Sequence, residues 1–275
     1  MIYDQRSGLS THMADLLAAG RVVFTSAEAE QALHIGRGAF LDAAERLQRR
    51  KQLLSPRQGF YVVVPPQFAS WGAPPPSWYI DALMRHENQA YYVGLLKAAE
   101  LHGATHQAVM EFQVVAAKRL PKIRAGRNLV VFYYRKDLAA VEAGIQEHKT
   151  DTGMMKVSSP ELTALDLLRY PQAAGGIDHI ATVLADLGSK IDGEKLAALA
   201  QAAERPVIQR VGYLLDRLGH GGRAEQMLAA LNERNPLVWT ELDRREASDP
   251  DFAPEPIERN ARWRVIVRRA PEIDE

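Results

Sequence analysis

Residues 25–64 read TSAEAEQALHIGRGAFLDAAERLQRRKQLLSPRQGFYVVV, and this stretch decides the fold of the N-terminal part. Thr25 stands three residues before Glu28, the spacing at which a threonine hydroxyl caps the first turn of a helix. A helix is expected from there to about Ile35, broken by Gly36-Arg37-Gly38. The next helix spans 38–51. In it Phe40, Leu41, Ala44 and Leu47 fall at i, i+1, i+4 and i+7, one apolar stripe at the helical period. At about 100° per residue the opposite face centres on Asp42, Arg46 and Arg49, with Ala39 and Arg50 at its edges. Leu53-Leu54, a Pro56-Arg-Gln-Gly59 turn and Phe60-Tyr-Val-Val-Val64 then have the composition of a hairpin. Working outward, Ser10 or Thr11 can cap a short helix with Met13, Leu16 and Leu17 on one face and Gly20 at its end. Arg21-Val-Val-Phe24 is a short β-type run.

Helix, glycine turn, helix, hairpin is the order of a winged helix-turn-helix, and the order has a geometric reason. The first helix of the pair crosses the DNA backbone, while the second lies in the major groove with side chains at base edges. That second helix has to be apolar where it packs and polar or basic where it faces out. Residues 38–51 meet the requirement. Arg46 and Arg49 are the candidates for base contacts, because arginine binds guanine O6 and N7 bidentately. Arg37, Arg50, Lys51 and the wing residue Arg57 are candidates for phosphate contacts, which position without specifying. Ser26 lies at a helix N-terminus, where free amides favour a phosphate. Asp42 can pair with Arg46 or accept from a cytosine amino group. The plainer alternative for Arg46, Arg49, Arg50 and Lys51 is a solvated helix face.

Composition bounds the rest. The chain has 275 residues, 47% hydrophobic and 25% charged, with no cysteine. That length favours two domains. Lack of cysteine excludes disulfides, thiolate metal sites and a cysteine nucleophile. The start, MIYDQRSGLSTHMAD, lacks the pattern of a signal peptide, and no apolar run approaches the roughly 18 residues of a membrane span. A cytoplasmic protein is expected. Thirty-four basic residues balance thirty-four acidic ones. The balance conceals an asymmetry: residues 1–160 are net +5 and residues 161–275 net −5, a distribution compatible with a nucleic-acid partner on one side.

Pro65-Pro66 and Ala73-Pro-Pro-Pro76 interrupt the pattern, since proline removes amide donors and stops helices. The expected architecture is α+β: a winged helix-turn-helix over 1–72 and a larger mixed α/β domain over 73–275. In the second region helices are expected at 78–84 and 94–102, and strands at 108–115 and 129–134. Between those strands Lys118, Arg119, Lys122, Arg124 and Arg127 form a basic stretch, either an unliganded loop or a second set of phosphate contacts. Residues 154–157 read as a strand. Ser158-Ser159-Pro160-Glu161 then gives a cap and a proline at the first helical position. Helical patterns follow at 177–187, 193–203, 206–218 and 223–232. Residues 237–242 and 263–267 turn β-like, with an acidic, proline-bearing loop at 248–256.

Enzymatic readings find thinner support, and no cofactor is expected. Asp137, Glu147 and Lys149 imitate the carboxylate–lysine spacing of metal-dependent nucleases, in which acids hold the metal and lysine sits beside the attacking water. Chance supplies roughly 0.6 such Glu-x-Lys triplets at this composition. His102 and His106 are four apart, but Gly103 and Thr105 between them disfavour a metal-binding helix. Gly219-His-Gly-Gly222 lacks the Lys-Ser/Thr of a phosphate-binding loop, and no Gly-x-Ser-x-Gly elbow is present.

Several segments together carry a resemblance. Gln-Gly-Phe-Tyr-Val at 58–62 ends the basic winged helix, and Tyr91-Tyr-Val-Gly-Leu-Leu-Lys-Ala-Ala-Glu-Leu-His-Gly103 follows it. Then come Lys156-Val-Ser-Ser-Pro-Glu-Leu-Thr-Ala-Leu-Asp-Leu-Leu168 and Gly175-Gly-Ile. With these the chain resembles, over nearly its whole length, the AbiEi-type antitoxins of bacterial type IV toxin–antitoxin systems. The resemblance implies a winged helix that represses its own operon at inverted repeats on double-stranded DNA, and a C-terminal domain that supplies antitoxicity. It implies a nucleotidyltransferase-like toxin counteracted without a stable complex. The 156–168 motif reads as structural, with Glu161 and Asp166 expected to satisfy backbone amides. The family's C-terminal domain is basic on one face, whereas residues 161–275 here are net acidic. A regulator that senses a ligand or partner and has no toxin to counter stays open.

Overall fold

Thr25 does what its spacing requires: its Oγ1 accepts from the Glu28 amide at 3.2 Å and caps a helix. The structure is a computed structural model that describes residues 8–105, 108–233, 238–247 and 253–273. The chain begins with α1 (Leu9–Ala18), β1 (Val23–Thr25), α2 (Ser26–Leu33), α3 (Arg37–Arg49), β2 (Leu53–Arg57) and β3 (Phe60–Val63). The three strands form an antiparallel sheet in the order β1-β3-β2. Its hairpin closes through Gln58-Gly59, with Gly59 at φ +72°, a conformation that glycine adopts without strain. The turn is thus two residues shorter than expected, because Pro56 and Arg57 stay in β2.

The core of this element follows the apolar period. Leu9, Met13 and Leu16 of α1 meet Phe40, Ala44 and Leu47 of α3 over Phe24, Leu53 and Tyr61. Phe24 stacks on Tyr61 at 5.5 Å, and Phe40 sets its edge on Tyr61 at 5.2 Å. Leu41 departs from the expected stripe. It is 45% exposed, and Ala43 packs against the core on the other flank instead. Leu41 lies about 100° around the helix from Phe40, at the edge of the arc that Phe40, Ala44 and Leu47 bury.

After two 3₁₀ turns the chain forms α4 (Ile80–His86), β4 (Tyr91–Val93), α5 (Leu95–Leu101), β5 (Glu111–Ala116), β6 (Ile123–Ala125) and β7 (Asn128–Tyr134). A 3₁₀ stretch leads to β8 (Ile145–Thr150) and β9 (Gly153–Ser158). Five helices follow: α6 (Pro160–Arg169), α7 (Ile177–Leu187), α8 (Gly193–Ala200), α9 (Arg205–Arg217) and α10 (Gly221–Asn232). The chain then ends in β10 (Thr240–Glu241), β11 (Glu258–Asn260) and β12 (Val265–Val267).

The chain divides into two compact units. The first is Met1–Tyr91, Met110–Tyr134 and Glu147–Lys156; the second is Tyr92–Val109, Arg135–Gln146 and Val157–Glu275. In the first, the winged helix is joined by β5, β6 and β7, with β5 parallel and β6 antiparallel to β7. In the second, α6 is buried along nearly its whole length and packs on α5, α7, α8 and α9. The strand ladder β10-β12-β11 lies on α9, where Trp263 is fully buried and its Nε1 donates to Asp216 Oδ2 at 2.7 Å. The units also divide the charge: sixteen Lys/Arg against eleven Asp/Glu in the first, eighteen against twenty-three in the second.

Candidate nucleic-acid interface

Burial of Phe40, Ala44 and Leu47 fixes the rotation of α3 and leaves Arg37, Asp42, Arg46, Arg49, Arg50 and Lys51 exposed. All six lie on one helix or its first residues beyond. Arg49 Nη2 lies 2.6 Å from Glu45 Oε1, an exposed i, i+4 pair of the kind worth about 0–1 kcal/mol. The expected Asp42–Arg46 pair does not form, so both side chains stand without a partner among the described residues. Lys51 takes a left-handed backbone, φ +58°, as the chain turns out of α3 toward β2. Leu41, exposed on the same helix, is a candidate that the apolar-stripe reading had assigned to the core.

Ser26 and Arg57 are placed differently from the α3 residues. The Ser26 amide donates to the Gly59 carbonyl at 3.0 Å, so one of the amides expected to meet a phosphate is already used within the winged element. The Arg57 side chain is only 16% exposed. Its Nη2 donates to the Pro121 carbonyl at 2.5 Å, its guanidinium lies over the Phe132 ring, and Glu87 is 3.9 Å away. Burial lowers its pKa, with Glu87 opposing. The same contact has a structural consequence, because β2 packs beside β6 and the basic stretch 118–127 is drawn next to the wing. Lys118, Arg119, Lys122, Arg124 and Arg127 are all exposed there. Arg119 covers Tyr134 and Arg127 covers Trp71, both by cation–π contact. Nothing in the sequence pattern signalled that this stretch and the hairpin would be neighbours.

The enzymatic candidates are not drawn into a site. Asp137 lies 3.3 Å from Arg135 and 3.5 Å from Arg169, while Glu147 and Lys149 are exposed on β8. His102 Nε2 donates to the Ser158 carbonyl at 2.7 Å, and His106 lies outside the described residues. His220 sits in the turn between α9 and α10, its Nε2 bonded to the Ala185 carbonyl. Among the described residues no group of three or more His, Cys, Asp or Glu is placed to hold a metal ion, and no helix is long and apolar enough to cross a membrane.

The Ser158–Asp166 motif is a buried polar lattice. Ser159 caps α6, its Oγ accepting from the Leu162 amide and donating to Glu161 Oε2 at 2.6 Å. Glu161 Oε1 takes the Asp192 amide at 2.8 Å, as expected of it. Asp166 differs from expectation: it binds side chains, not backbone amides. Its carboxylate lies 2.7 Å from Arg135 Nη1 and accepts from Tyr92 Oη at 2.6 Å. Nearby, Gly175 and Gly176 have φ +77° and +95°, and a Cβ on Gly176 would stand 2.3 Å from Arg245 Nη2. Both glycines are required by this turn.

Residues 92–217 match the family model of the AbiEi antitoxin C-terminal domain. Among solved structures, the chain is similar to the crystal structure of the RV2827C protein from Mycobacterium tuberculosis. The identity is 22% and the TM-score 0.66, covering 94% of this chain and 90% of that one. At that identity the likeness speaks for a shared fold. No curated protein matches the chain.

Proposed function

We propose that the chain, whose residues 92–217 match the AbiEi antitoxin C-terminal domain, is a regulator from a toxin–antitoxin system, a sequence-specific DNA-binding autorepressor and antitoxin of type IV. The observation that carries the DNA-binding part is α3, a helix buried through Phe40, Ala44 and Leu47 whose outer side presents four arginines and is followed by a hairpin. Residues 1–72 act as the winged DNA-binding element, and residues 73–275 as the antitoxin part. Arg46 and Arg49 read base edges, Arg49 exchanging its weak Glu45 pair for guanine. Asp42 accepts from a cytosine amino group, and Leu41 offers an apolar contact to a thymine methyl.

Arg37, Arg50 and Lys51 hold phosphates, joined by Lys118, Arg119, Lys122, Arg124 and Arg127 from the neighbouring stretch. Ser26 reaches a phosphate through its hydroxyl. Arg57 serves by fixing the wing against Pro121 and Phe132. The functional partner is a nucleotidyltransferase-like toxin, opposed without a stable complex, and the setting is the cytoplasm, in phage defence. Arg46→Ala is expected to weaken binding to the protein's own promoter by about 1–3 kcal/mol and binding to random DNA far less. A mobility-shift titration on both duplexes measures this; equal losses would show that Arg46 does not read sequence.

A further inference from the structure

In the second unit a cavity of about 450 Å³ is bounded by the C-terminal end of α6, the first turns of α7 and α9, and residues 242–245. Small-molecule sites commonly span about 300–1,000 Å³. One wall is apolar, made by Leu168, Ile177, Val207 and Leu242. The other carries four arginines, Arg169, Arg210, Arg244 and Arg245, against two acids, Glu204 and Asp243. Both acids are engaged already. Glu204 lies 2.9 Å from Arg169 Nη2, and Asp243 lies 3.0 Å from Arg245 Nη2. The adjacent Glu241 carboxylate is held by Arg268 at 3.0 Å. The positive charge left over belongs to Arg210 and Arg244.

Arg210 is the more informative of the two. It is 5% exposed, and its Nε donates to the Glu241 carbonyl at 2.8 Å. Its Nη2 is buried and has no acceptor among the described residues. A guanidinium keeps its charge at neutral pH, so an unfilled donor on a buried one is costly, and a ligand oxygen would remove that cost. Burial, and after it the Arg244 charge, lower the Arg210 pKa to about 10, with Asp243 and Glu241 opposing. Arg244 is exposed and makes no ion pair or hydrogen bond among the described residues. The first turns of α7 and α9, through Ile177, Pro206 and Val207, add the positive ends of two helix dipoles.

We propose that this cavity binds an organic oxyanion, a small molecule whose phosphate or carboxylate group meets Arg210 and Arg244 while its apolar body lies on Leu168, Ile177, Val207 and Leu242. The assignment is independent of the DNA-binding reading, and its test needs no DNA. The full-length chain is titrated with phenyl phosphate, benzoate and inorganic phosphate, against sodium chloride at equal ionic strength, with binding and Tm followed together. Saturable binding of phenyl phosphate, benzoate or both is expected, with a rise in Tm; which of the two binds separates phosphate from carboxylate ligands. Inorganic phosphate, having no apolar body, should bind about tenfold more weakly or worse. Arg244→Ala should leave the unliganded Tm unchanged and weaken binding about tenfold or more, and Arg210→Gln should abolish it. The proposal fails if neither aromatic anion binds saturably up to about 10 mM. It also fails if Arg244→Ala binds as the parent does, or if inorganic phosphate binds as tightly as the aromatic anions.

Discussion

Asp166→Ala is expected to destabilise the second unit by about 3–5 kcal/mol, the cost of removing one partner from a buried ion pair. Asp166 is 0% exposed, and Arg135, bonded to it, is buried too. Without the carboxylate, Arg135 Nη1 and the Tyr92 hydroxyl lose their acceptor inside α6's packing. The remaining acid, Asp137, sits 3.3 Å from Arg135 Nε without hydrogen-bond geometry and cannot take over that role. Asp166→Asn should cost less, since one amide oxygen can still accept from Tyr92 or Arg135. Urea unfolding of the full chain measures both. A loss under about 1 kcal/mol for the alanine variant would show that the lattice contributes nothing net, as some buried pairs do.

The same carboxylate gives a pH dependence. Burial pushes Asp166 up to about 6 from 3.8, outweighing the opposing pull of Arg135 and Tyr92. With the folded value above the unfolded one, the folded state binds the proton first. This group's stabilising contribution is full below about 4 and lost as pH rises through about 6. Wild type should therefore gain on Asp166→Asn as pH falls from 6 to 4, read as the difference between their unfolding free energies.

Phe40→Ala carries the second large effect, about 3–5 kcal/mol, from lost transfer energy and the cavity left behind. Phe40 is 0% exposed and meets Phe24 and Tyr61 edge-on, at 6.5 and 5.2 Å. It also sets the rotation of α3, so loss of DNA binding should accompany loss of stability. Leu41→Ala, one residue on and exposed, should change stability by less than about 0.5 kcal/mol. Thermal unfolding of the pair separates core from surface. Similar losses in both would mean that α3 is rotated from the orientation described.

What could be read in advance, and what could not, follows from the range of the forces. Capping and helical period are local, so Thr25, the α3 stripe and the Ser159-Pro160 start of α6 were legible from spacing. Leu41 was misassigned because it lies about 100° around the helix from Phe40, at the edge of the apolar stripe, where spacing alone does not say which flank is covered. The short strands β4, β6, β8 and β11 were missed, since runs of three to six residues carry too little alternation to register as strands, even where the partner is a chain neighbour, as β7 is for β6 and β12 for β11. The Arg57–Pro121 contact, the Asp166–Arg135–Tyr92 cluster and the arginine-lined cavity are non-local. Each joins residues at least 31 positions apart. The acidic balance of the C-terminal half said little about them, because among the described residues nine of those acids are paired with arginines inside the same unit.

The central claim, that α3 and its neighbours read DNA, is tested most directly by a salt series. Affinity for the protein's own promoter and for random duplex is measured from about 50 to 200 mM salt, with counterion release setting the slope near −0.9 for each phosphate held. The expected result is a steep fall for both duplexes and a promoter preference of about 10³ or more throughout. Lys51→Ala should make the slope shallower by about one. Binding that ignores salt, or that treats promoter and random DNA alike, would contradict the account.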